Sequence, residues 1–525
     1  MPPKHQVPTL VELALCSVSD YVIAFGESLV GPVCELSLTD FDASCQRLRN
    51  ELSAFKSKLS TSIPWLLFEP MAHKALKSLS DLIDARTGDR KASKSFCKYI
   101  LEVNILIDVT EVLVNHNIRT LDMSGYTKGM RNVLYDNLHH MTSLEILDLG
   151  SGSDGWRSSE IERYVIRGVS SLPNLVSLAL CTDCTDNIIA TVGQTCRKLR
   201  ILDITASRSV TFRSIPSLLK CQNLRQLIIF RTSLGEHSCA ELLLGLPHLE
   251  VIGQCIKFRH FLEEVELKEP NVKLALRVID TSTLNTSDML RITKMCPYIT
   301  RISMKYDDQM GELYVLSALE HLRELKFTEC HFYTDAIDWL LQQMSSRLKS
   351  LTLSNVYEID WLALFNIAKY CTHLEELKMY HCDILGIDNR PHHGRQSLEP
   401  FKYLETLQFF AECVKRHLEF LLSPCKNIRY IELGSSTGID DATMERILNA
   451  NKMPKLEELK IFSSSELSMK TVRLLMQNCK SLRRLSELEG WGLIKKGELS
   501  ALREELKRNN LDLDTSPTLS LPSSY

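Results

Sequence analysis

Several features common in other chains are scarce here. No uninterrupted apolar run of about 20 residues occurs, so no membrane-spanning helix is expected. The stretch from Val7 to Val30 is the most apolar, but Glu12, Asp20 and Glu27 interrupt it. It also has no basic lead or small-residue cleavage site of the kind that frames a signal peptide. Basic residues are not in excess: 62 Lys and Arg against 65 Asp and Glu give a net charge of −3. That lacks the electrostatic footprint by which a phosphate backbone is held, so no nucleic-acid partner is expected. There is no glycine-rich phosphate loop, no His-Glu-x-x-His and no nucleophile elbow, so no catalytic residue, metal or cofactor is expected and the chain is read as a non-enzyme.

Cysteine is plentiful, at 17 in 525 residues. Its placement argues against disulfides. Cys196, Cys221, Cys296, Cys371, Cys425 and Cys479 each stand three residues before an apolar segment, where a small buried hydrophobe suits packing. This implies a reducing compartment, cytoplasm or nucleus. Cys181-Thr182-Asp183-Cys184 has metal or redox spacing, but no second pair accompanies it, which favours a structural role.

What dominates the chain is an internal repeat. The pattern apolar-x-x-apolar-x-apolar returns with a period close to 26, starting at Ile118, Leu144, Leu175, Leu199, Leu224, Ile299, Leu322, Leu348, Leu374, Leu404, Ile428 and Leu456. Degraded copies are read near Leu249, near Val272 and at Leu482. A single copy cannot bury its own apolar face, so neighbours must stack into a solenoid. The repeats, with their cysteines, resemble the cysteine-containing class of leucine-rich repeats found in ribonuclease-inhibitor-like proteins and ubiquitin-ligase receptors. The resemblance implies an α/β horseshoe whose strands place every second residue on the concave side.

That alternation puts Asp122, Asp148, Ala179, Asp203 and Ile228 in the middle column of the first half. In the second half it puts Ser303, Lys326, Thr352, Lys378, Gln408, Glu432 and Lys460 there. At the strand exits come Phe230, Tyr380, Phe410 and Phe462. Exposed aromatics beside lysines have the composition of a partner-binding surface, so Phe230, Lys326, Lys378, Tyr380, Gln408, Phe410 and Phe462 are the candidate contacts for an unidentified protein substrate. The alternative is that these rings pack on the neighbouring repeat. Two long periods carry insertions after a strand, Gly150–Trp156 and Gly386–Pro400, the second with His392 and His393, which are read as solvated loop histidines.

Four segments are expected: a helical block over 1–95, the horseshoe over 96–490, a C-terminal cap helix within 491–514, and a disordered tail over 515–525. In the block, residues 1–8 read as a loose lead. Thr9 then caps a helix whose Leu10, Ala14 and Val18 share one face and which Gly31-Pro32 is expected to break. A second helix runs over Thr39–Leu59, and the stretch Thr61–Met71 begins a third helical region.

Thr9-Leu10-x-x-x-Ala14-x-x-x-Val18 resembles the Elongin-C-binding box, with Ala14 where cysteine is usual. Ile63-Pro64-Trp65-Leu66-Leu67-x-x-x-Met71 resembles the cullin-binding box of the same receptors. Boxes followed by repeats are similar to the PRAME family and related cullin-RING substrate receptors, although here a whole helix separates Leu10 from Pro64. The resemblance implies that Leu10, Ala14 and Val18 dock Elongin C of Elongin B/C, that Pro64 and Leu67 approach a cullin, and that the concave side selects the substrate. Two alternatives stand beside it. The helices only cap the solenoid, leaving a non-catalytic scaffold or inhibitor; or they form an F-box-like set for a Skp-type adaptor, since the Pro64 helix resembles an F-box start.

Overall fold

The computed structural model describes residues 2–88, 96–151, 158–254, 258–307, 312–385, 401–412 and 415–518. The insertions at 152–156 and 386–400, including His392 and His393, lie outside these residues. The chain divides into two compact units. One comprises Pro8–Gln254 with Glu263–Pro270, the other Met1–Val7 with Cys255–Leu262 and Asn271–Tyr525.

The first unit opens with four helices: α1 (Leu10–Ser37), α2 (Phe41–Ser62), α3 (Trp65–Gly88) and α4 (Phe96–Asp108). Asp40 caps α2, its carboxylate accepting the Ala43 N–H. α1 does not break at Gly31-Pro32 as the sequence suggested: Pro32 lies inside the helix. Burial overrides the missing backbone donor, because Leu29 before the proline and Val33 and Cys34 after it are all buried. By length and composition α1 is long and apolar enough to cross a membrane, against the expectation from the sequence. Here its buried stripe Val22, Gly26, Leu29 and Val33 is packed within the block. A Cβ at Gly26 would come within 3.2 Å of Val109 and 3.3 Å of Leu106, which shows how closely α1 lies on the end of α4.

Six parallel strands follow: β1 (Thr120–Asp122), β2 (Ile146–Ser151), β3 (Ser177–Cys181), β4 (Ile201–Asp203), β5 (Gln226–Ile228) and β6 (Val251–Gln254). The second unit holds β7 (Val278–Thr283), β8 (Arg301–Lys305), β9 (Glu324–His331), β10 (Ser350–Tyr357), β11 (Glu376–Asp383), β12 (Thr406–Glu412), β13 (Tyr430–Leu433), β14 (Glu458–Ile461) and β15 (Arg484–Ser486). These also pair in parallel and in chain order. Apart from the β11–β12 connection, where 386–400 lie outside the described residues, a helix or 3₁₀ turn returns the chain between strands, giving the α/β leucine-rich-repeat solenoid that the hexad predicted. Every repeat leucine from Leu144 to Leu485 faces the core with almost no exposure, each burial contributing roughly 1.5–3 kcal/mol before entropy. One copy is displaced. Ile279 pairs with Ile302, so that repeat starts at Leu276 rather than near Val272.

The repeat cysteines are free thiols buried at helix ends. Burial lifts the thiols of Cys196, Cys296, Cys371 and Cys479 to about 12, which leaves them protonated and unreactive. Before Leu456 the same helix-end place is taken by Asn451, whose amide donates to the carbonyls of Leu422 at 3.2 Å and Cys425 at 2.8 Å.

Both ends of the chain depart from expectation. Residues 3–5 are not loose: the Asp512 N–H donates to Pro3 O at 2.7 Å and the His5 N–H to Asn510 O at 3.1 Å. The segment after the helix Lys496–Arg508 continues past β15, with Leu485 N–H on Asp514 O and Asp514 N–H on Arg483 O. Thr515–Thr518, expected in a disordered tail, are packed as well: Arg503 donates to Thr515, and Thr518 donates to Glu487. An exposed strand edge with free backbone groups recruits whatever chain lies beside it. The remainder of the tail, 519–525, lies outside the described residues.

Candidate functional site

The start of α1 is built to stand alone. Thr9 Oγ1 accepts the Glu12 N–H at 3.2 Å, and Glu12 accepts the Thr9 N–H at 2.7 Å, a reciprocal capping box. Such a box stabilises a helix start by roughly 0.5–2 kcal/mol. These hydrogen bonds, the Thr9 N–H first, hold the Glu12 carboxyl below its usual range. Beyond the cap, Leu10 is 85% exposed, with Val11 and Leu13 each about half exposed. Ala14 is exposed, Val18 is half-buried, and full burial begins at Ser19 and Val22. Leu10 and Ala14 therefore lie open on one face, and Val18 sits where that face enters the block.

α3 is used differently. Glu69 accepts the backbone N–H groups of Arg119 at 3.0 Å and Thr120 at 2.7 Å, and the Thr120 hydroxyl at 2.9 Å. It thereby satisfies donors at the open edge of β1. Burial pushes its carboxyl up, but these bonds outweigh it and the net shift is down. Phe68 and Met71 are buried beneath it. α3 is thus a cap on the first repeat. Pro64 at its start is exposed and Leu67 half-buried, while the residues between them, Trp65 and Leu66, are mostly exposed.

The strand columns fall in the register that the repeat arithmetic assigned, Asp122 beside Asp148 at one end and Lys378, Gln408, Glu432 and Lys460 in sequence in the second unit. The acidic column has an internal task. Asp122, Asp148 and Asp203 each accept the N–H two residues on, at 2.8, 2.8 and 2.9 Å, turning the chain out of the strand.

In the second unit the column residues bond across strands. Tyr380 Oη donates to Gln408 at 2.7 Å, Gln408 Nε2 donates to Glu432 at 2.5 Å, and Tyr430 Oη donates to the same carboxylate at 2.8 Å. Lys460 lies over the Tyr430 ring at 5.6 Å and pairs with Glu458 at 3.2 Å; Lys378 pairs with Glu376 at 3.0 Å. Burial, then Glu432 and Glu376, lifts the Tyr380 phenol to about 12, so it stays a donor. Lys326 occupies the same column, half-buried.

The strand-exit aromatics are half-buried rather than exposed. Parallel register sets equivalent rings one strand spacing apart, so Tyr380 stacks on Phe410 at 5.5 Å; Phe410 meets Phe462 tilted by 40°, at 5.8 Å. The second contact skips a strand. Gly434 lies between, and a Cβ there would meet the Phe410 ring at 2.9 Å and its Cα at 3.1 Å. Among the described residues Phe230 has no such partner ring; the Arg231 guanidinium sits 5.0 Å over it.

The hexad did not reveal that β9, β10 and β11 continue past it. Glu329, Asn355 and His381, 26 residues apart, each adopt positive φ of 49–52°, after which Cys330, Val356 and Cys382 are buried again. The signal was present as an apolar residue three beyond the last hexad position. The extension gathers His331, Tyr333 and Tyr357 with ring centroids about 6 Å apart. Among the described residues no group of three or more His, Cys, Asp or Glu is placed to hold a metal ion. Cys184 is buried and its thiol pushed far up by burial, so the Cys181–Cys184 pair is not a reactive dithiol.

No family model and no curated protein matches this sequence. Solved structures similar to it include a leucine-rich-repeat protein of Leptospira interrogans, with a TM-score of 0.37 and 13% identity over 77% of this chain and 91% of that one. A chain of the yeast Rad7 and Elc1 complex gives 0.40 and 13% over 89% and 98%, and one of the TLR13–ssRNA13 complex 0.30 and 11% over 77% and 65%. Likeness at this level carries no functional argument; the repeat architecture rests on the strands and leucines above.

Proposed function

We propose that this protein is a substrate receptor of a cullin-RING ubiquitin ligase, acting in the cytoplasm or nucleus. Leu10, Ala14 and Val18 dock the Elongin C subunit of Elongin B/C, the Pro64–Leu67 turn approaches the cullin, and the sheet side opposite the helices holds a protein substrate. The chain itself does no chemistry; it raises the local concentration of substrate beside a recruited conjugating enzyme. Nucleic acid and membrane have no part in this reading.

The observation that carries it is the free start of α1. An apolar helix face with Leu10 85% exposed and a complete capping box has no internal packing role, whereas a helix serving only as a cap buries its leucines. Substrate contacts on the second unit would centre on Lys326, Lys378, Tyr380, Gln408, Phe410 and Phe462; Phe230, on the first unit, is a separate candidate contact. The contacts among Tyr380, Gln408, Phe410 and Phe462 limit how far each of these can move toward a partner.

The test is capture of Elongin B/C by the full chain, comparing wild type with Leu10→Ser/Ala14→Arg. Stoichiometric capture by wild type and none by the folded double mutant supports the reading, since the pair removes an apolar anchor and places a charge at a close contact. No capture by wild type overturns it in favour of a Skp-type adaptor or of a scaffold that recruits no ligase.

A further inference from the structure

Two of the exposed large aromatic side chains of the second unit stand side by side. Tyr314, 53% exposed, and Trp339, 43% exposed, meet nearly perpendicular at 83° with centroids 6.1 Å apart. They border a cavity of about 600 Å³ that is also lined by Tyr306 and Leu313, both almost fully buried, and by Glu312 and Asp335, both exposed. Tyr306 is fixed in place by Tyr333, edge to face at 5.4 Å and 88°. The Glu312 carboxylate beside the Tyr314 hydroxyl pushes that phenol up.

The lining has one electrostatic sense. Three aromatic and two acidic residues line the cavity, and among the described residues no lysine or arginine does. An apolar ligand would gain nothing from the two exposed acids, and an anion would be repelled by them. A primary ammonium is strongly hydrated and would leave water at a cost the rings return only in part. A methylated ammonium holds its water weakly and presents apolar methyl groups to the rings and to Leu313 while keeping its charge for Glu312 and Asp335.

We propose that this cavity binds a methylated ammonium cation, as carried by a methylated lysine side chain of a protein partner. The site goes beyond the adaptor reading and does not depend on it: it lies on the second unit, away in sequence from α1, and would serve a scaffold equally well.

The test is ligand-observed NMR and calorimetry on the full chain with four probes: acetyl-trimethyllysine amide, the lysine amide, the uncharged tert-butyl isostere of the trimethyl probe, and choline. The trimethyl probe is expected to saturate, with the isostere and the primary amine weaker by at least about ten-fold. Trp339→Ala should lose that binding, Trp339→Phe should keep part of it, and Glu312→Gln/Asp335→Asn should erase the preference for the cation over the isostere. Both aromatic positions are surface-exposed, and circular dichroism verifies that the variants fold. Choline bound as tightly as the lysine probe keeps the cation chemistry but assigns the site to a free small molecule. An isostere that binds as well as the cation, a Trp339→Ala protein that binds like wild type, or no saturation by the trimethyl probe below about 10 mM overturns the proposal.

Discussion

The start of α1 and the β11–β14 columns are both proposed docking surfaces, yet the molecule treats them oppositely. Leu10 and Ala14 touch almost nothing, and their helix is held by its own capping box. Tyr380, Gln408, Phe410 and Glu432 are tied to one another by hydrogen bonds and ring stacking. A substitution on the first surface should alter binding alone. On the second it should alter folding as well, because each side chain there completes a neighbour.

Titration separates the two units most widely. Asp108, at the base of the helical block, is raised from 3.8 to about 6, by burial first and then by Glu111. A raised acid favours the folded state while protonated: that contribution is complete below pH 3.8 and is lost as pH rises through about 6. Asp440, in the second unit, is held near 2: burial pushes it up, but Lys415 and Thr443 outweigh that. Its contribution is present above 3.8 and is lost as pH falls through about 2. Asp108→Asn should therefore raise the melting temperature at pH 8, by up to roughly 3 kcal/mol of stability, and change little at pH 4. Asp440→Asn should destabilise at pH 8. Melting curves across pH 3–8 check both, and equal effects of Asp108→Asn at the two ends would refute the assignment.

Gly434→Ala tests how tightly the aromatic column is built. Its φ of −73° suits any residue, so the cost is steric alone, from a methyl group 2.9 Å from the Phe410 ring. A loss of roughly 1–3 kcal/mol in denaturant titration is expected. An unchanged midpoint would show that the Phe410–Phe462 contact is loose and that the two surfaces are more alike than their contacts suggest.

A smaller loss should follow Tyr380→Phe, which keeps the stack on Phe410 and removes only the donor to Gln408. Roughly 0.5–1.5 kcal/mol is expected, and Gln408→Leu in the same background should cost less than it does alone if the two act through one bond.

The repeat itself was legible because stacking demands a leucine at fixed spacing, and each of those positions now has a buried side chain. The column register followed from the same arithmetic. What lay beyond it was decided by contacts remote in sequence. Pro32 stays helical because Val33 and Cys34 are buried, and Glu69 reads as an ordinary surface acid until β1 is placed beside it. Gly434 carries no signal until the rings on either side are known to touch. Residues 3–5 looked like a polar lead because their partner is 505 or more residues away in the chain. For the candidate site, Leu10 could be picked out from its spacing, but its exposure could not, since a capping helix and a docking helix share one amphipathic pattern.

The smallest effect on stability is expected where the functional effect is largest. Leu10→Ala should shift the unfolding midpoint by no more than about 0.5 kcal/mol, the range of surface substitutions, because the side chain is already in water. Leu29→Ala, on the same helix but 7% exposed, should cost roughly 2–5 kcal/mol. If the start of α1 is a docking surface, Leu10→Ala weakens capture of Elongin B/C while Leu29→Ala, assayed below its melting temperature, leaves it near wild type. A Leu10→Ala protein that melts as early as Leu29→Ala would mean that the leucine is packed in solution and that α1, like α3, is only a cap.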